Sequence, residues 1–150
     1  VDASNCPDLF PVISVLAAFC QGTSRIAGLG RLANKESDRA TAIYDMLIQM
    51  GVEVCRDGDE LVIRGYSLAQ RLLAGQPIGS GSAGCVDGPK TSDLATPGLL
   101  KGGNYTSHHD HRMVMALKVA SLGADGPVII DDEECVAKSF PSFKECYGRF

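Results

Sequence analysis

Helical and strand-like segments alternate over the first 65 residues, and this alternation constrains the fold more than any other feature of the sequence. An apolar segment with Pro7 in its first turn predicts a helix that runs to about Cys20, and Thr23–Ala27 follows as a strand. The pair Ser37-Asp38 is typical of a helix cap, and Gly51 ends the amphipathic segment that comes after it. Helix and strand therefore recur in the order of an α/β unit.

A hairpin completes this unit. Val52–Cys55 and Glu60–Arg64 predict two strands, and the Asp57-Gly58 pair between them is a strong signal for a tight turn. If the residues before Ser4 supply a first strand, residues 1–65 have the order βαβαββ. The predicted fold class is α/β (α+β), with one near-complete βαβαββ unit.

Residues 66–108 differ in composition from the rest. Eight of the 17 glycines lie between Gly75 and Gly103, and the segment also carries several prolines. Such a composition is typical of a flexible insertion or linker. We expect a flexible insertion with a short helix near Leu68–Leu73.

Residues 109–150 predict a helix, a strand and a second helix, too few elements for another complete unit. The first helix covers Asp110–Leu122, the strand covers Pro127–Asp131, and Ser139 with Phe140 and Pro141 begins the last helix. We expect this helix–strand–helix segment to complete the C-terminal part of the same domain.

Charge and apolar content exclude several classes of protein. The 14 Lys and Arg residues against 18 Asp and Glu residues give a net charge of −4, which disfavours a broad electrostatic nucleic-acid binder. No apolar run reaches the roughly 18–20 residues that a membrane helix needs. The 45% apolar content suits a folded domain. Negative net charge still permits a local cationic site for a small anion.

Six cysteines are present without a Cys-x-x-Cys spacing. An even number is compatible with disulfides, whereas Cys20 and Cys55 among apolar neighbours are typical of buried free thiols. We expect reduced cysteines in a cytoplasmic protein.

Two charged segments and a lysine are candidates for chemistry. The segment 35–39 places Lys35, Glu36 and Arg39 at a loop-to-helix junction, where helix N–H groups attract anions. The segment 107–112 holds all three histidines beside Arg112, whose planar guanidinium suits carboxylate and phosphate. Lys138 precedes the predicted last helix, which is also a plausible anion position.

Each candidate also has a purely structural interpretation. Local ion pairs at a solvated helix start explain the segment 35–39, and a polar helix start explains the histidines. Lys138 is compatible with a surface lysine, and Asp8 with a charge that complements the first helix. A metal site at the histidines is a further alternative.

The order and spacing of four motifs resemble the C-terminal third of the 5-enolpyruvylshikimate-3-phosphate synthase family. The motifs are Cys6-Pro7-Asp8, Lys35-Glu36-Ser37-Asp38-Arg39, His109-Asp110-His111-Arg112-Met113 and Glu134-Cys135-Val136-Ala137-Lys138-Ser139-Phe140-Pro141. The resemblance implies a fold of repeated βαβαββ units and no metal or organic cofactor. It also implies that an N-terminal portion of the enzyme is absent from this chain, which we then expect to be inactive alone.

The resemblance implies a reaction and a role for each matching residue. The reaction transfers the enolpyruvyl group of phosphoenolpyruvate to the 5-hydroxyl of shikimate 3-phosphate and releases phosphate, as a step of the shikimate pathway to aromatic amino acids. The implied phosphoenolpyruvate contacts are Arg39, Arg112 and Lys138; the implied shikimate 3-phosphate contacts are Asp8, Lys35 and Arg31; the implied catalytic residues are Asp8, Glu36 and Lys35.

Within that scheme, Asp8 accepts the proton of the attacking hydroxyl, and Glu36 gives a proton to the methylene carbon and takes it back. Which of Lys35 and Glu36 is the acid or the base at each step stays open. Arg31 departs from the family pattern, in which bacterial relatives can carry an Asn that contacts the sugar-like ring.

Three alternatives stay open on the sequence. One is the related enolpyruvyl transferase that acts on UDP-N-acetylglucosamine, another is a non-catalytic binding or assembly module, and the third is a metal-dependent hydrolase that uses the histidines. The family resemblance implies a monomeric full-length protein in the cytoplasm, or in the plastid if the source is a plant, without nucleic-acid or membrane partners.

Overall fold

The computed structural model describes residues 1–32, 38–65 and 100–147. Four α-helices lie in these residues: α1 (Phe10–Phe19), α2 (Arg39–Gln49), α3 (His111–Ser121) and α4 (Phe143–Tyr147). The strands are β1 (Gly22–Ala27), β2 (Glu53–Asp57), β3 (Glu60–Gly65), β4 (Gly103–Tyr105) and β5 (Val128–Ile130). Short 3-10 helices cover Pro7–Leu9, Leu29–Leu32 and Glu133–Lys138.

The first sheet has the strand order β1-β3-β2, with both neighbouring pairs antiparallel. The predicted hairpin between β2 and β3 is confirmed: Asp57 pairs with Glu60, and Gly58 adopts a φ of 60° in the two-residue loop. The N-terminal residues add a single parallel bridge, between Asp2 and Ala27, at the free edge of β1. The βαβαββ order is therefore present, with its first strand reduced to one bridge.

Apolar side chains from both halves of the chain form one core. The predicted positions Ile43 and Leu47 on α2 are buried, and so is Met50, which caps the end of the helix. Helix α1 packs against β3 on one side and against α3 on the other, which explains why it is apolar around most of its circumference. The two halves of the sequence therefore share a hydrophobic interior.

A second, two-stranded sheet joins β4 and β5 in parallel, with α3 as the connection between them. A parallel pair needs such a crossover because its strands start at the same end. Strand β4 lies in the segment for which we expected only an insertion, so this strand was not predicted. The remainder of that segment, including the predicted helix at Leu68–Leu73, lies outside the described residues.

Two further predictions need correction. The last helix begins at Phe143 rather than at Ser139, because a 3-10 helix over Glu133–Lys138 precedes it. Lys138 is thus the last residue of a 3-10 helix and does not stand before a helix N-terminus. The predicted aromatic cluster is present nevertheless, since the ring of Phe143 lies 5.7 Å from that of Phe140 and 6.0 Å from that of Tyr147.

The expectation of reduced cysteines is wrong for Cys55. It is disulfide-bonded to a partner outside the described residues, whereas Cys6, Cys20, Cys135 and Cys146 are free. Cys55 lies on β2, an edge strand of the first sheet, where a further segment can reach its sulfur. No helix within the described ranges is long and apolar enough to cross a membrane.

Gly65 allows α1 to approach the end of β3. A Cβ atom at this position would collide with the carbonyl oxygens of Ala17 and Cys20 at the end of α1. We expect Gly65→Ala to lower the free energy of unfolding by about 1–3 kcal/mol, the range for overpacking an interior. Urea unfolding followed by circular dichroism measures this change.

Gly126→Ala is the matched control, because a Cβ atom there has no neighbour within 4 Å. We expect its free energy of unfolding to stay within about 0.5 kcal/mol of the wild-type value. Equal effects of the two substitutions would contradict the close approach of α1 and β3.

Candidate anion-binding site

Arg39, the first residue of α2, is placed by the helix start that the sequence predicted. Asp38 is the N-cap, and its carboxylate accepts hydrogen bonds from the Thr41 N–H at 3.2 Å and from the Thr41 hydroxyl at 2.7 Å. The cap fixes the first turn, and the Arg39 side chain is only 3% exposed. A buried guanidinium requires carboxylate or other acceptor partners.

Two carboxylates from distant parts of the chain supply these partners. Arg39 Nε donates to Asp110 Oδ2 at 2.6 Å, and Arg39 Nη1 donates to Asp8 Oδ1 at 2.9 Å. Asp110 is fully buried, whereas the side chain of Asp8 is 49% exposed. Three segments, namely the 3-10 helix Pro7–Leu9 and the starts of α2 and α3, therefore meet at one guanidinium.

Arg112 brings a second guanidinium to the same place. Its Nη2 lies 3.5 Å from Asp8 Oδ2, so Asp8 bridges Arg112 and Arg39. The Nε atom of Arg112 is buried and has no hydrogen-bond partner among the described residues. A buried donor without an acceptor is rare in folded proteins, and a ligand oxygen is one group that would satisfy it.

Charge on Arg39 is maintained by its neighbours. Burial acts to lower the pKa of this guanidinium, but the hydrogen bonds to Asp110 and Asp8 outweigh burial and raise its pKa above the ordinary value. The residue therefore remains a cation. The starts of α2 and α3 add the positive ends of two helix dipoles beside it.

The loop before α3 is held by Asp131, which follows β5. The Asp131 carboxylate accepts hydrogen bonds from the Ser107 N–H at 2.8 Å, the Ser107 hydroxyl at 2.8 Å and the Thr106 hydroxyl at 2.7 Å. These bonds, led by that of the Ser107 N–H, lower the pKa of Asp131 well below its usual value. The loop carries His108 and His109 with φ values of 53° and 57°, which non-glycine residues seldom adopt.

Asp131 thus fixes the loop that precedes α3, the helix that carries Arg112. Ser107 in turn accepts a hydrogen bond from the Asp110 N–H through its carbonyl oxygen at 3.0 Å.

The histidines do not form a metal site with neighbouring residues of the described ranges. His109 contacts Asp132 at 2.8 Å but is largely exposed, and no cluster of three or more His, Cys, Asp or Glu residues suited to a metal ion lies in these ranges.

The structure brings together three of the residues that the sequence singled out: Asp8, Arg39 and Arg112. Lys138 and Arg31 are exposed, and within the described parts of the chain neither has a hydrogen bond or ion pair to these three. Lys138 lies on a 3-10 helix that packs against α3. Burial raises the pKa of the Cys135 thiol on the same helix. The candidates Lys35 and Glu36 lie outside the described residues.

Sequence reasoning missed the importance of Asp110, which it treated only as a residue near a helix start. The N-cap position of Asp110 is readable from the sequence, but its contact with Arg39 spans 71 residues and is not. The fold and these side chains define an α/β unit with an arginine–carboxylate cluster where two helix N-termini meet.

Comparison with known proteins gives the family of this unit. The profile of the EPSP synthase (3-phosphoshikimate 1-carboxyvinyltransferase) family matches residues 1–146. Enzymes named 3-phosphoshikimate 1-carboxyvinyltransferase from Clostridium kluyveri and Clostridium botulinum are 37% and 36% identical over 97% and 95% of the chain. An EPSP synthase structure from Acinetobacter baumannii has a TM-score of 0.71 and 31% identity over 95% of the chain.

The chain belongs to the EPSP synthase family and has the enolpyruvyl transferase fold. It covers 27% of the Clostridium kluyveri relative, 26% of the Clostridium botulinum relative and 27% of the Acinetobacter baumannii chain. The family resemblance and the fold class that the sequence predicted are confirmed.

The role of Asp131 gives a pH-dependent prediction. Because the folded-state pKa of Asp131 lies below the ordinary value of 3.8, its ionised form stabilises the fold above that pH and loses this effect as the pH falls below it. We expect Asp131→Ala to be less stable than the wild type at pH 7, with a difference that shrinks below about pH 4.

Thermal unfolding between pH 2.5 and pH 7 measures this difference. Asp125→Ala tests a carboxylate that accepts a single backbone hydrogen bond, from Gly102 at 2.7 Å, and we expect a smaller loss. A stability difference between Asp131→Ala and the wild type that stayed constant over the whole pH range would show that the Asp131 charge is not involved.

Proposed function

We propose that the chain contributes one wall of an active site that transfers the enolpyruvyl group of phosphoenolpyruvate to the 5-hydroxyl of shikimate 3-phosphate and releases phosphate. The observation that carries this proposal is the convergence of Asp8, Arg39 and Arg112, which match the family motif and come from three separate segments. Because the chain spans about a quarter of its relatives, the activity is a property of the complete enzyme.

Arg39 and Arg112 suit the anionic end of phosphoenolpyruvate. Both stand in the first turn of a helix, where the dipole adds to the guanidinium charge, and Arg112 Nε has no acceptor within the described part of the chain. Arginine also binds carboxylate or phosphate through two parallel N–H groups. Lys138 is proposed as a third phosphoenolpyruvate contact on the family motif.

Asp8 suits the proton of the attacking hydroxyl. Its carboxylate is about half exposed and so is accessible to a substrate, and the two arginines fix its orientation. In the proposed reaction the 5-hydroxyl oxygen bonds to C2 of phosphoenolpyruvate, its proton passes to Asp8, and C3 gains a proton. Loss of that C3 proton and of the phosphate group then gives the enolpyruvyl product.

The remaining proposed roles rest on the family motif alone. Glu36 is proposed to give and take back the C3 proton, Lys35 to take part in proton transfer, and Lys35 and Arg31 to contact shikimate 3-phosphate. We also propose a monomeric complete enzyme in the cytoplasm, or in the plastid if the source is a plant. The names of the relatives favour this reaction over transfer to UDP-N-acetylglucosamine and over a non-catalytic module.

The proposal predicts a selective defect for Arg112→Ala in the complete enzyme. Removing one charge-assisted contact to the anionic substrate is expected to raise the KM for phosphoenolpyruvate by roughly 10–100-fold. Phosphate release at saturating shikimate 3-phosphate measures this change.

Arg25→Ala serves as the control. Arg25 forms exposed ion pairs with Asp57 and Glu60 on the first sheet, and pairs of this kind contribute little to stability. We expect wild-type kinetics for this variant. An Arg112→Ala enzyme with an unchanged KM for phosphoenolpyruvate would exclude the proposed contact.

The 150-residue chain is expected to show no turnover by itself, because it spans only about a quarter of the length of its relatives. The measurement is phosphate release with both substrates, with the complete enzyme as the positive control. Turnover by the isolated chain would contradict this prediction.

A further inference from the structure

Asp110 is the most enclosed charged group in the site. The described residues hold four buried polar or charged side chains, and three of them are Arg39, Ser107 and Asp110. Asp110 is fully buried, so it has no direct route to solvent and no exposed edge to offer a substrate. A buried carboxylate needs strong partners, and both of its oxygens have one.

The two oxygens of Asp110 contact two different arginine residues. Oδ2 accepts Arg39 Nε at 2.6 Å, and Oδ1 accepts the backbone N–H of Arg112 at 2.9 Å. The first bond sets the direction of the Arg39 guanidinium. The second caps α3 and sets the turn from which the Arg112 side chain departs.

The backbone of Asp110 is fixed as well. Its N–H donates to the Ser107 carbonyl at 3.0 Å, and its own carbonyl accepts the N–H groups of Met113 at 3.0 Å and Val114 at 3.1 Å. The carboxylate therefore projects from a rigid point. A rigid, buried carboxylate that contacts the Arg39 side chain and the Arg112 backbone can fix the position of one residue relative to the other.

We propose that Asp110 is a positioning residue that holds Arg39 and Arg112 in the relative positions at which they bind the anionic end of phosphoenolpyruvate. This inference rests on the proposed function. Asp110 does not touch the substrate; it acts through Arg39 by a charge-assisted bond and through Arg112 by a helix cap. Asp8 differs, since it is half exposed and contacts the outer ends of both guanidinium groups.

Asp110→Asn separates the two contacts of Asp110. The amide oxygen of Asn still accepts the Arg112 N–H and keeps the cap, whereas its NH₂ group faces Arg39 Nε as donor against donor. In the complete enzyme we expect the KM for phosphoenolpyruvate to rise by about 100-fold, as for a misplaced binding group, with an unchanged KM for shikimate 3-phosphate. Steady-state phosphate release with each substrate varied in turn measures both constants.

The matched control is Asp125→Asn, which makes the same substitution at a carboxylate that accepts the Gly102 N–H beyond the C-terminal end of α3, whereas the site lies at the N-terminal end of α3. We expect wild-type values of both constants.

A double variant tests whether Asp110 acts through Arg39. If it does, then Asp110→Asn combined with Arg39→Ala has the same KM for phosphoenolpyruvate as Arg39→Ala alone. Losses that add would overturn the positioning role.

Asp110→Glu covers the case in which Asp110→Asn does not fold. It keeps the charge but moves it by one methylene, and we expect a rise of about 10-fold in the KM for phosphoenolpyruvate without a change for the other substrate. An unchanged KM for phosphoenolpyruvate in this variant, or equal rises in KM for both substrates, would overturn the inference.

If Arg39→Ala raises the KM for phosphoenolpyruvate and both Asp110 variants do not, the proposed function stands and the positioning role fails. A complete enzyme that consumes no phosphoenolpyruvate would overturn both.

Discussion

The buried ion pair between Arg39 and Asp110 joins the two halves of this chain. The two residues are 71 positions apart, and their side chains are 3% and 0% exposed. Removing one member of such a pair leaves an uncompensated charge in the interior, which typically costs about 3–5 kcal/mol. The exposed pairs of Arg25 with Asp57 and Glu60 belong to the range of about 0–1 kcal/mol. The start of α2 is therefore joined to the start of α3 by a contact that is also the centre of the candidate site.

Asp8 and Asp110 show how solvent exposure assigns different tasks to two carboxylates around one guanidinium. Asp110 is enclosed and has both oxygens engaged, so its contribution is geometric. Asp8 is half exposed and bridges Arg39 and Arg112 at their outer ends, so a ligand can reach its carboxylate without opening the core. Burying a further charge beside Asp110 would carry a high desolvation cost. At the half-exposed Asp8, that cost arises only when a ligand binds.

Local signals explain why part of the fold was predictable. The hairpin follows from Asp57-Gly58, and α2 follows from the cap at Asp38 and the end at Gly51, all of which act within a few residues. Strand β4 has no such signal, since Gly103 and Asn104 have low strand propensity and the pairing with β5 depends on the crossover through α3. Sequence patterns report local preference and miss strands that are made by tertiary contacts.

The residues of the candidate site were predictable where they belong to the family motifs. Asp8, Arg39 and Arg112 came from the family resemblance, and the structure brings them together. The Ser139-Phe140-Pro141 sequence misled the assignment at Lys138, because the chain first makes a 3-10 helix and only then begins α4. The Asp110 contact was missed because nothing in a sequence of this kind links an N-cap to a guanidinium 71 residues earlier.

Charge balance determines how such a wall binds an anion. The two carboxylates of Asp8 and Asp110 formally neutralise the two guanidinium groups of Arg39 and Arg112, so the cluster as a whole carries no net charge. Attraction for a phosphate or carboxylate then depends on direction: the helix dipoles and Arg112 Nε, which has no acceptor among the described residues, present donors, while Asp110 is fully buried. In such a cluster the carboxylates offset the repulsion between the two guanidinium groups. The cluster still presents hydrogen-bond donors to an anion. For this reason we include the buried Asp110 in the proposed site together with Arg39, whose guanidinium it contacts.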